Sequence, residues 1–322
     1  MCMSISSACM YVYHMCAWAA PKASMLGANF TVIHPTVFIL LGIPGLEKHH
    51  PWLSSPFCLM YTAAVLGNRA LILVVLSERT LHEPMYVFLS MLAGTDILLS
   101  TTTVPKALMF FIHVAFVAES GILLARAFDR YVAICTPLRC SAILTPVVTG
   151  KMTLAIWGRS IGTVFPIVFL LKRLSYCRTN AIPHSDCEHV GVARSACAGI
   201  TANIWYGFSV PMASVVVDVA LIGVSYTLIL QAVLRLPSQD ARHKALNTCG
   251  SHIGVILLFF IPSFLTFLTH RFGKNIPHHV HILLANLCVL VPPMLNPVIY
   301  GAKTKQIRDS MTHMLSFMWN SG

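Results

Sequence analysis

Seven stretches of this chain are apolar for about twenty residues each. A helix that crosses a bilayer must satisfy its own backbone hydrogen bonds across roughly 30 Å of hydrocarbon, which takes about 20 residues at a rise of 1.5 Å per residue. Seven such runs fill most of the 322 residues, and they predict an all-α membrane protein, a bundle of seven transmembrane helices. We place the spans at residues 54–76, 84–106, 112–135, 152–171, 203–230, 245–269 and 281–301.

The composition favours a membrane protein over a soluble one. Charged residues make up 10% of the chain and apolar residues 56%, whereas soluble domains carry about 25% charged residues. The net charge of +11 would suit a nucleic-acid partner only as a basic patch on a soluble domain, and the sequence has no such domain. No nucleophile elbow, His-Glu-x-x-His pair or phosphate loop is present, so we expect neither an enzyme nor a cofactor.

The apolar runs also divide the chain. We expect an extracellular segment over residues 1–53, the helix bundle over 54–301, and a cytoplasmic tail with a short amphipathic helix over 302–322. The face that carries Arg130 holds ten Lys and Arg residues against eight opposite, which favours it as cytoplasmic. Asn29 begins a glycosylation acceptor ahead of the first span, so we expect the N-terminus outside; Met25 is an alternative start of translation.

Four polar side chains lie near the middle of their spans: Asn68, Asp96, Glu119 and Asn296. An ionisable group in hydrocarbon is costly unless it faces the bundle interior or a partner. We therefore expect the four to share one layer, with water or a cation bridging Asp96 and Glu119. The alternative is a polar network with a purely structural role.

Two further arginines, Arg69 and Arg126, also fall inside spans. Each costs about 2.5–3.5 kcal/mol at the centre of a membrane on insertion scales. Arg126 stands three residues before Asp129, a spacing that predicts an ion pair on one helix face. The sequence suggests no partner for Arg69.

The third span ends in Asp129-Arg130-Tyr131, where an adjacent ion pair can hold the arginine until a partner or a helix movement releases it. Further strings occur in a fixed order along the chain: Gly67-Asn68, Pro84-Met85-Tyr86, Ser225-Tyr226, Lys244 to His252, and Pro293 to Tyr300. With these strings the chain resembles the odorant receptors of the rhodopsin-like G protein-coupled family. Gly42 to Glu47 and Phe267 to Phe272 resemble the class I, or fish-like, members.

This resemblance implies a plasma-membrane receptor in which a small odorant opens a cytoplasmic cleft for the stimulatory olfactory heterotrimeric G protein, raising cyclic AMP. It also implies membrane lipid and receptor-transport chaperones as partners. On the family pattern the residues of the G protein switch are Asp129, Arg130, Tyr131, Tyr226, Asn296, Pro297 and Tyr300.

The ligand site that the resemblance implies lies among the outer halves of the spans, where Arg271 ends the sixth. A guanidinium fits a carboxylate with two parallel hydrogen bonds, so Arg271 favours short carboxylic acids. His113 projects toward the same cavity, and the apolar wall candidates are Phe208, Val210, Phe264 and Leu268. In the alternative, Arg271 lies at the membrane interface and the wall candidates are ordinary core residues. We interpret the histidines around His279 as a solvated loop and expect no metal site.

The connection between the second and third spans is short. Only 33 residues separate Asp96 from Arg130, which leaves a handful for the outer turn at about 20 residues per crossing. The resemblance implies a longer segment there, inserted between Phe111 and His113, with a Cys that opens the third span. It also pairs Cys177 with Cys197 and so leaves Cys187 without a partner.

Loss of a native disulfide typically costs about 2–5 kcal/mol. The alternative function is therefore a non-signalling receptor relic that is retained in the endoplasmic reticulum. A remoter alternative is an ion or proton channel, although the sequence shows neither inverted repeats nor broken helices.

Overall fold

A computed structural model describes residues 39–40, 50–78, 81, 83–101, 107–174, 181–182, 196, 199–272, 277–304, 306–310 and 312. Within these residues, seven long helices follow one another, and each contains a segment long and apolar enough to cross a membrane. The predicted all-α bundle of seven transmembrane helices is therefore confirmed. Numbered in chain order, the helices are α1 His50–Ser77, α2 Pro84–Thr101, α3 Ala107–Cys135, α4 Pro146–Lys172, α5 Thr201–Leu234, α6 Gln239–Phe272 and α7 His278–Lys303.

Shorter elements accompany the helices in the described part of the chain. A 3₁₀ turn over Pro137–Arg139 and one helical turn over Cys140–Ile143 connect α3 to α4. Two-residue strands, Ile39–Leu40 and Ala181–Ile182, pair in parallel. Residues 306–310, after the end of α7, are helical.

Most helices run beyond the apolar segments that predicted them. The helix α4 begins at Pro146, six residues before the predicted start, because Thr145 caps it: the Thr145 side chain accepts a hydrogen bond from the Val148 N–H at 3.3 Å. Threonine before a proline in the first helical position is a standard helix start. Hydropathy alone locates the part of a helix in lipid and misses its polar ends.

The helix α3 lies at the centre of the bundle. It packs against α2, α4 and α5 and contacts α6, while α1 packs against α2 and α7. The main apolar core is built around this centre, with Phe88 and Leu92 of α2 and Ile122 and Leu123 of α3 almost fully buried. Polar groups on α3 therefore face other helices rather than lipid.

The connection between α2 and α3 is as short as the sequence predicts. The helix α2 ends at Thr101, five residues before the predicted end, and α3 begins at Ala107, five residues before its predicted start. With 18 residues, α2 is about 27 Å long, slightly less than a hydrocarbon core of about 30 Å. Residues 102–106 lie outside the described residues.

A close contact between α1 and α7 explains two of the sequence strings. Pro297 has no N–H, so the carbonyl of Pro293 one turn earlier loses its helical donor. The Asn68 side-chain amide donates to that carbonyl at 2.7 Å and to the Ala64 carbonyl at 2.9 Å. A Cβ on Gly67 would lie 3.0 Å from the Pro297 Cβ, so the close approach requires glycine.

Candidate functional site

Most of the predicted switch residues lie together near the C-terminal ends of α3, α5 and α7 and the N-terminal half of α6. We call this region the inner end of the bundle. At the end of α3, the Asp129 carboxylate accepts from Arg130 Nη2 at 2.6 Å and from Arg130 Nε at 3.0 Å. The Asp129 side chain is 5% exposed and the Arg130 side chain 18% exposed. The arginine is thus held by its own neighbour, near the C-terminal end of α3.

A second contact at this level joins α5 to α6. The Tyr226 hydroxyl and the His252 Nδ1 are hydrogen-bonded, and their rings lie 6.0 Å apart between centroids. His252 is buried and ends the string that begins at Lys244. It was not among the predicted site residues, although its place in that string would have identified it. Tyr131 and Tyr226 both pack against a small buried cluster that includes Val233.

The third contact joins α3 to α7. Arg126 Nη1 donates to the Tyr300 hydroxyl at 2.5 Å, and the guanidinium carbon lies 4.3 Å from the centre of the Tyr300 ring. Both residues are buried, at 6% and 4% exposure. The predicted ion pair of Arg126 with Asp129 is therefore wrong, because Asp129 already binds Arg130, and Arg126 turns inward to α7.

The predicted polar layer lies toward the middle of the bundle. Asn296 Nδ2 donates to Asp96 Oδ2 at 2.9 Å, which joins α7 to α2. Asp96, Glu119, Asn296 and Asn68 are each at most 2% exposed. The contact of Asp96 with Asn296 is thus observed, whereas Asn68 donates to the backbone carbonyls of Ala64 and Pro293, so one layer shared by all four residues stays a prediction.

Four oxygens of this layer receive no hydrogen bond from the described residues: Asp96 Oδ1, both Glu119 carboxylate oxygens and Asn296 Oδ1. Buried oxygen acceptors without donors suit a proton, water or a small cation with oxygen ligands. In the described part of the chain no group of three or more His, Cys, Asp and Glu side chains could hold a metal ion. A cation between Asp96 and Glu119 stays a prediction.

The outer residues predicted to bind ligand are not gathered into one site by the described side chains. Phe208 lines a cavity of about 170 Å³ with Thr201, Ile204 and Trp205 of α5. His113 and Val210 are half-buried, as is Leu268, while Phe264 is 55% exposed rather than enclosed by the bundle.

Several predicted site residues lie outside what the structure describes. The backbone of Arg271 belongs to the last turn of α6, but its side chain is outside the described residues, as are Asn29, Cys177 and Cys197.

A buried ion pair between α4 and α5 was not predicted. Arg159 Nη1 and Nη2 donate to the two carboxylate oxygens of Asp218 at 2.6 and 2.9 Å. Ser120 of α3 donates to the same carboxylate at 2.5 Å, and Arg159 Nη2 also donates to the Val117 carbonyl at 3.2 Å. The signal was available, because an arginine and an aspartate each interrupt an otherwise apolar span.

The sequence profile of the family described as olfactory receptor matches residues 57–109 and 106–317. This chain belongs to the olfactory receptor family. Human olfactory receptor 52B2 is 63% identical over 307 residues, which is 90% of this chain and 95% of that receptor. Human olfactory receptor 52B4 is 55% identical over 92% of this chain and 98% of its own length.

These similarities confirm the resemblance to odorant receptors, and the class I assignment is consistent with relatives of family 52. The chain is a multi-pass G protein-coupled receptor of the membrane and not an enzyme. An olfactory receptor implies an odorant ligand and a G protein partner.

The same comparisons bear on the short connection between α2 and α3. The family profile matches in two pieces that meet at residues 106–109, beside the start of α3. The 307 residues aligned with 52B2 correspond to 90% of the 322 residues here, or about 290, so this receptor is about 17 residues shorter across the alignment. Both observations agree with the shortening predicted from the sequence.

Proposed function

We propose that this olfactory receptor couples the binding of a short carboxylic acid to activation of the stimulatory olfactory G protein, and so raises cyclic AMP. The observation that carries the proposal is the arrangement at the inner ends of the helices. Arg130, Tyr226 and Tyr300 are each held inside the bundle by another receptor side chain. A conformation in which these contacts are broken would offer the same groups to a G protein.

The coupling follows from differential binding. A ligand shifts a conformational equilibrium only as far as its affinities for the two states differ. A ligand that binds the open conformation about 100-fold better than the closed one shifts the ratio of the two by about the same factor. The proposed acid does this by drawing the outer end of α6 inward, which moves the inner end of the same helix and strains the contact of His252 with α5.

The acid specificity is supported by the position of Arg271. Helix α6 ends at Phe272, so Arg271 stands in its last turn at the outer side of the bundle. A guanidinium there presents a flat pair of donors to a carboxylate, whereas the compact ammonium of lysine acts as a point charge. We therefore propose that Arg271 binds the carboxylate and that the alkyl chain of the acid lies along Phe208 and the apolar side of α5.

A second candidate is a receptor that does not reach the cell surface. The observation that favours it is the shortening itself: this receptor is about 17 residues shorter than human olfactory receptor 52B2 across their alignment. Such a protein has the fold of its family but signals nothing, and surface labelling separates it from a working receptor.

The experiment combines surface labelling with cyclic AMP measurement on the full chain, co-expressed with receptor-transport chaperones. The ligands are carboxylic acids of two to eight carbons, with the alcohols of equal length as controls. We expect a response to acids alone, lost in Arg271→Ala and reduced in Arg271→Lys, while surface labelling stays unchanged. An acid response that survives Arg271→Ala refutes the ligand assignment, and surface labelling without cyclic AMP under any acid refutes the coupling.

A further inference from the structure

Arg126 has a position that the family-level function does not explain. It lies one helical turn before Arg130 and about two turns after Glu119, so all three residues fall on the inward side of α3. Arg126 is 6% exposed, so its side chain stays inside the bundle and does not extend to the membrane surface. A buried guanidinium needs partners for its donors, and these partners decide what it does.

The partners of Arg126 lie on α7. Its Nη1 donates to the Tyr300 hydroxyl at 2.5 Å, and the face of the Tyr300 ring lies 4.3 Å from the guanidinium carbon. Asp129 is engaged by Arg130, and no carboxylate of the described residues lies within ion-pair distance of Arg126. The tyrosine is therefore the group that accepts this buried donor.

The contact of Arg126 with Tyr300 joins two helices that are not closely packed against each other. In the described part of the chain, α7 packs against α1, α2 and α6, and α3 is not among its closely packed neighbours. The long side chain of Arg126 reaches from one helix to the other and contacts both the hydroxyl and the ring of Tyr300. Moving Tyr300 away would leave a buried positive charge without its acceptor, and burial makes that state costly.

We propose that Arg126 is a positioning residue for Tyr300: it fastens the tyrosine of α7 to α3 and thereby stabilises the closed inner end of this receptor. This inference rests on the proposed function, because a closed end has meaning only for a protein that opens to a G protein. A hydrogen bond to a charged donor changes an equilibrium constant by about 10- to 100-fold. Arg126 lowers the basal population of the open conformation by a factor of that order.

The first test measures nucleotide exchange on the stimulatory G protein by the purified full-length receptor without any odorant. Arg126→Met introduces an apolar side chain of similar length and removes both contacts with Tyr300. We expect basal exchange to rise about tenfold or more in Arg126→Met, and to return toward the original rate in Arg126→Lys, which keeps a cationic donor. Arg69→Met removes an exposed arginine from α1 and should leave the rate unchanged.

A second measurement distinguishes failure of this inference from failure of the proposed function. Hydrogen–deuterium exchange needs no G protein, and it should show faster exchange in Arg126→Met at residues 296–303 while the outer halves of the helices are unchanged. If no variant activates the G protein, the proposed coupling fails, and hydrogen exchange still decides the role of Arg126. Unchanged exchange at 296–303, an equal increase in all helices, or basal nucleotide exchange at or below the original rate in a working receptor overturns the inference.

Discussion

The ion pair of Arg159 with Asp218 joins α4 to α5 within the membrane, and its two ends differ in exposure. Asp218 is fully buried, whereas a third of the Arg159 side chain is exposed. Removing the arginine leaves a buried carboxylate without its cation. Removing the aspartate leaves an arginine that keeps one acceptor, the Val117 carbonyl, at 3.2 Å. We therefore expect Arg159→Met to lower the free energy of unfolding more than Asp218→Leu does.

The magnitudes follow from the same geometry. Breaking a buried ion pair at one end typically costs about 3–5 kcal/mol, and we expect Arg159→Met in this range because Asp218 also loses both short bonds from Arg159. Asp218→Leu should cost less, about 1–3 kcal/mol, because Arg159 keeps the Val117 carbonyl as an acceptor and is only partly buried. The double variant replaces the pair with apolar side chains, which is often neutral or stabilising, so it should unfold near the original temperature.

The assay is thermal unfolding of the purified receptor in detergent, together with surface labelling of cells. A double-mutant cycle isolates the coupling between the two side chains, since they contact each other directly. Lys151→Met, which removes an exposed charge from the same helix, serves as the matched control. The reasoning is refuted if Asp218→Leu is the more damaging single change, or if the double variant loses as much stability as the two single changes together.

Three further predictions concern single positions. Gly67→Ala should destabilise the receptor by about 1–3 kcal/mol by overpacking against the rigid ring of Pro297, while Gly94→Ala, with open space around its Cβ, should not; thermal unfolding compares the two. Arg69→Leu should raise surface labelling, because an exposed arginine on a transmembrane helix opposes insertion by up to about 2.5–3.5 kcal/mol; equal labelling would contradict this. His252→Phe should raise basal cyclic AMP by releasing the α5 tyrosine, and an unchanged basal level at equal surface amounts would exclude that role.

The fold could be predicted from the sequence because each transmembrane helix is identified by its own run of apolar residues. A run of about twenty apolar residues has no other stable arrangement in lipid. The layer of Asp96 with Asn296 was equally accessible, since polar groups in such runs must turn inward and toward each other. The helix ends were less accessible, because caps such as Thr145 lie in polar sequence outside the apolar window.

The partners of the arginines required the structure. A spacing of three residues favours Asp129 as the partner of Arg126, but that carboxylate binds Arg130, and the real partner lies 174 residues further along the chain. The pairing of Arg159 with Asp218 likewise joins residues 59 apart. Local sequence patterns show which residues need a partner inside the membrane, whereas the packing of the helices determines which partner each of them contacts.

The structure also changes where the longer segment expected between the second and third spans should be inserted. The point between Phe111 and His113 lies inside α3, where Phe110 packs against a small buried cluster that includes Val114 and Val164. Each residue inserted there turns the helix by about 100°, which would rotate the outer part of α3 away from that cluster. The join between the end of α2 and the start of α3, over residues 102–106, leaves both helices intact.

We therefore expect opposite results from the same insert at two places. A segment of about 17 residues with one Cys, inserted after residue 104, should raise surface labelling and give Cys187 a disulfide partner, which mass spectrometry of the unreduced protein identifies. The same segment after residue 112 should leave the receptor retained, because it disrupts the packing of Phe110. A segment without the Cys, placed after residue 104, separates the length of the connection from the disulfide. Rescue from both positions would show that the register of α3 does not matter, and rescue from neither would show that the short connection does not limit folding.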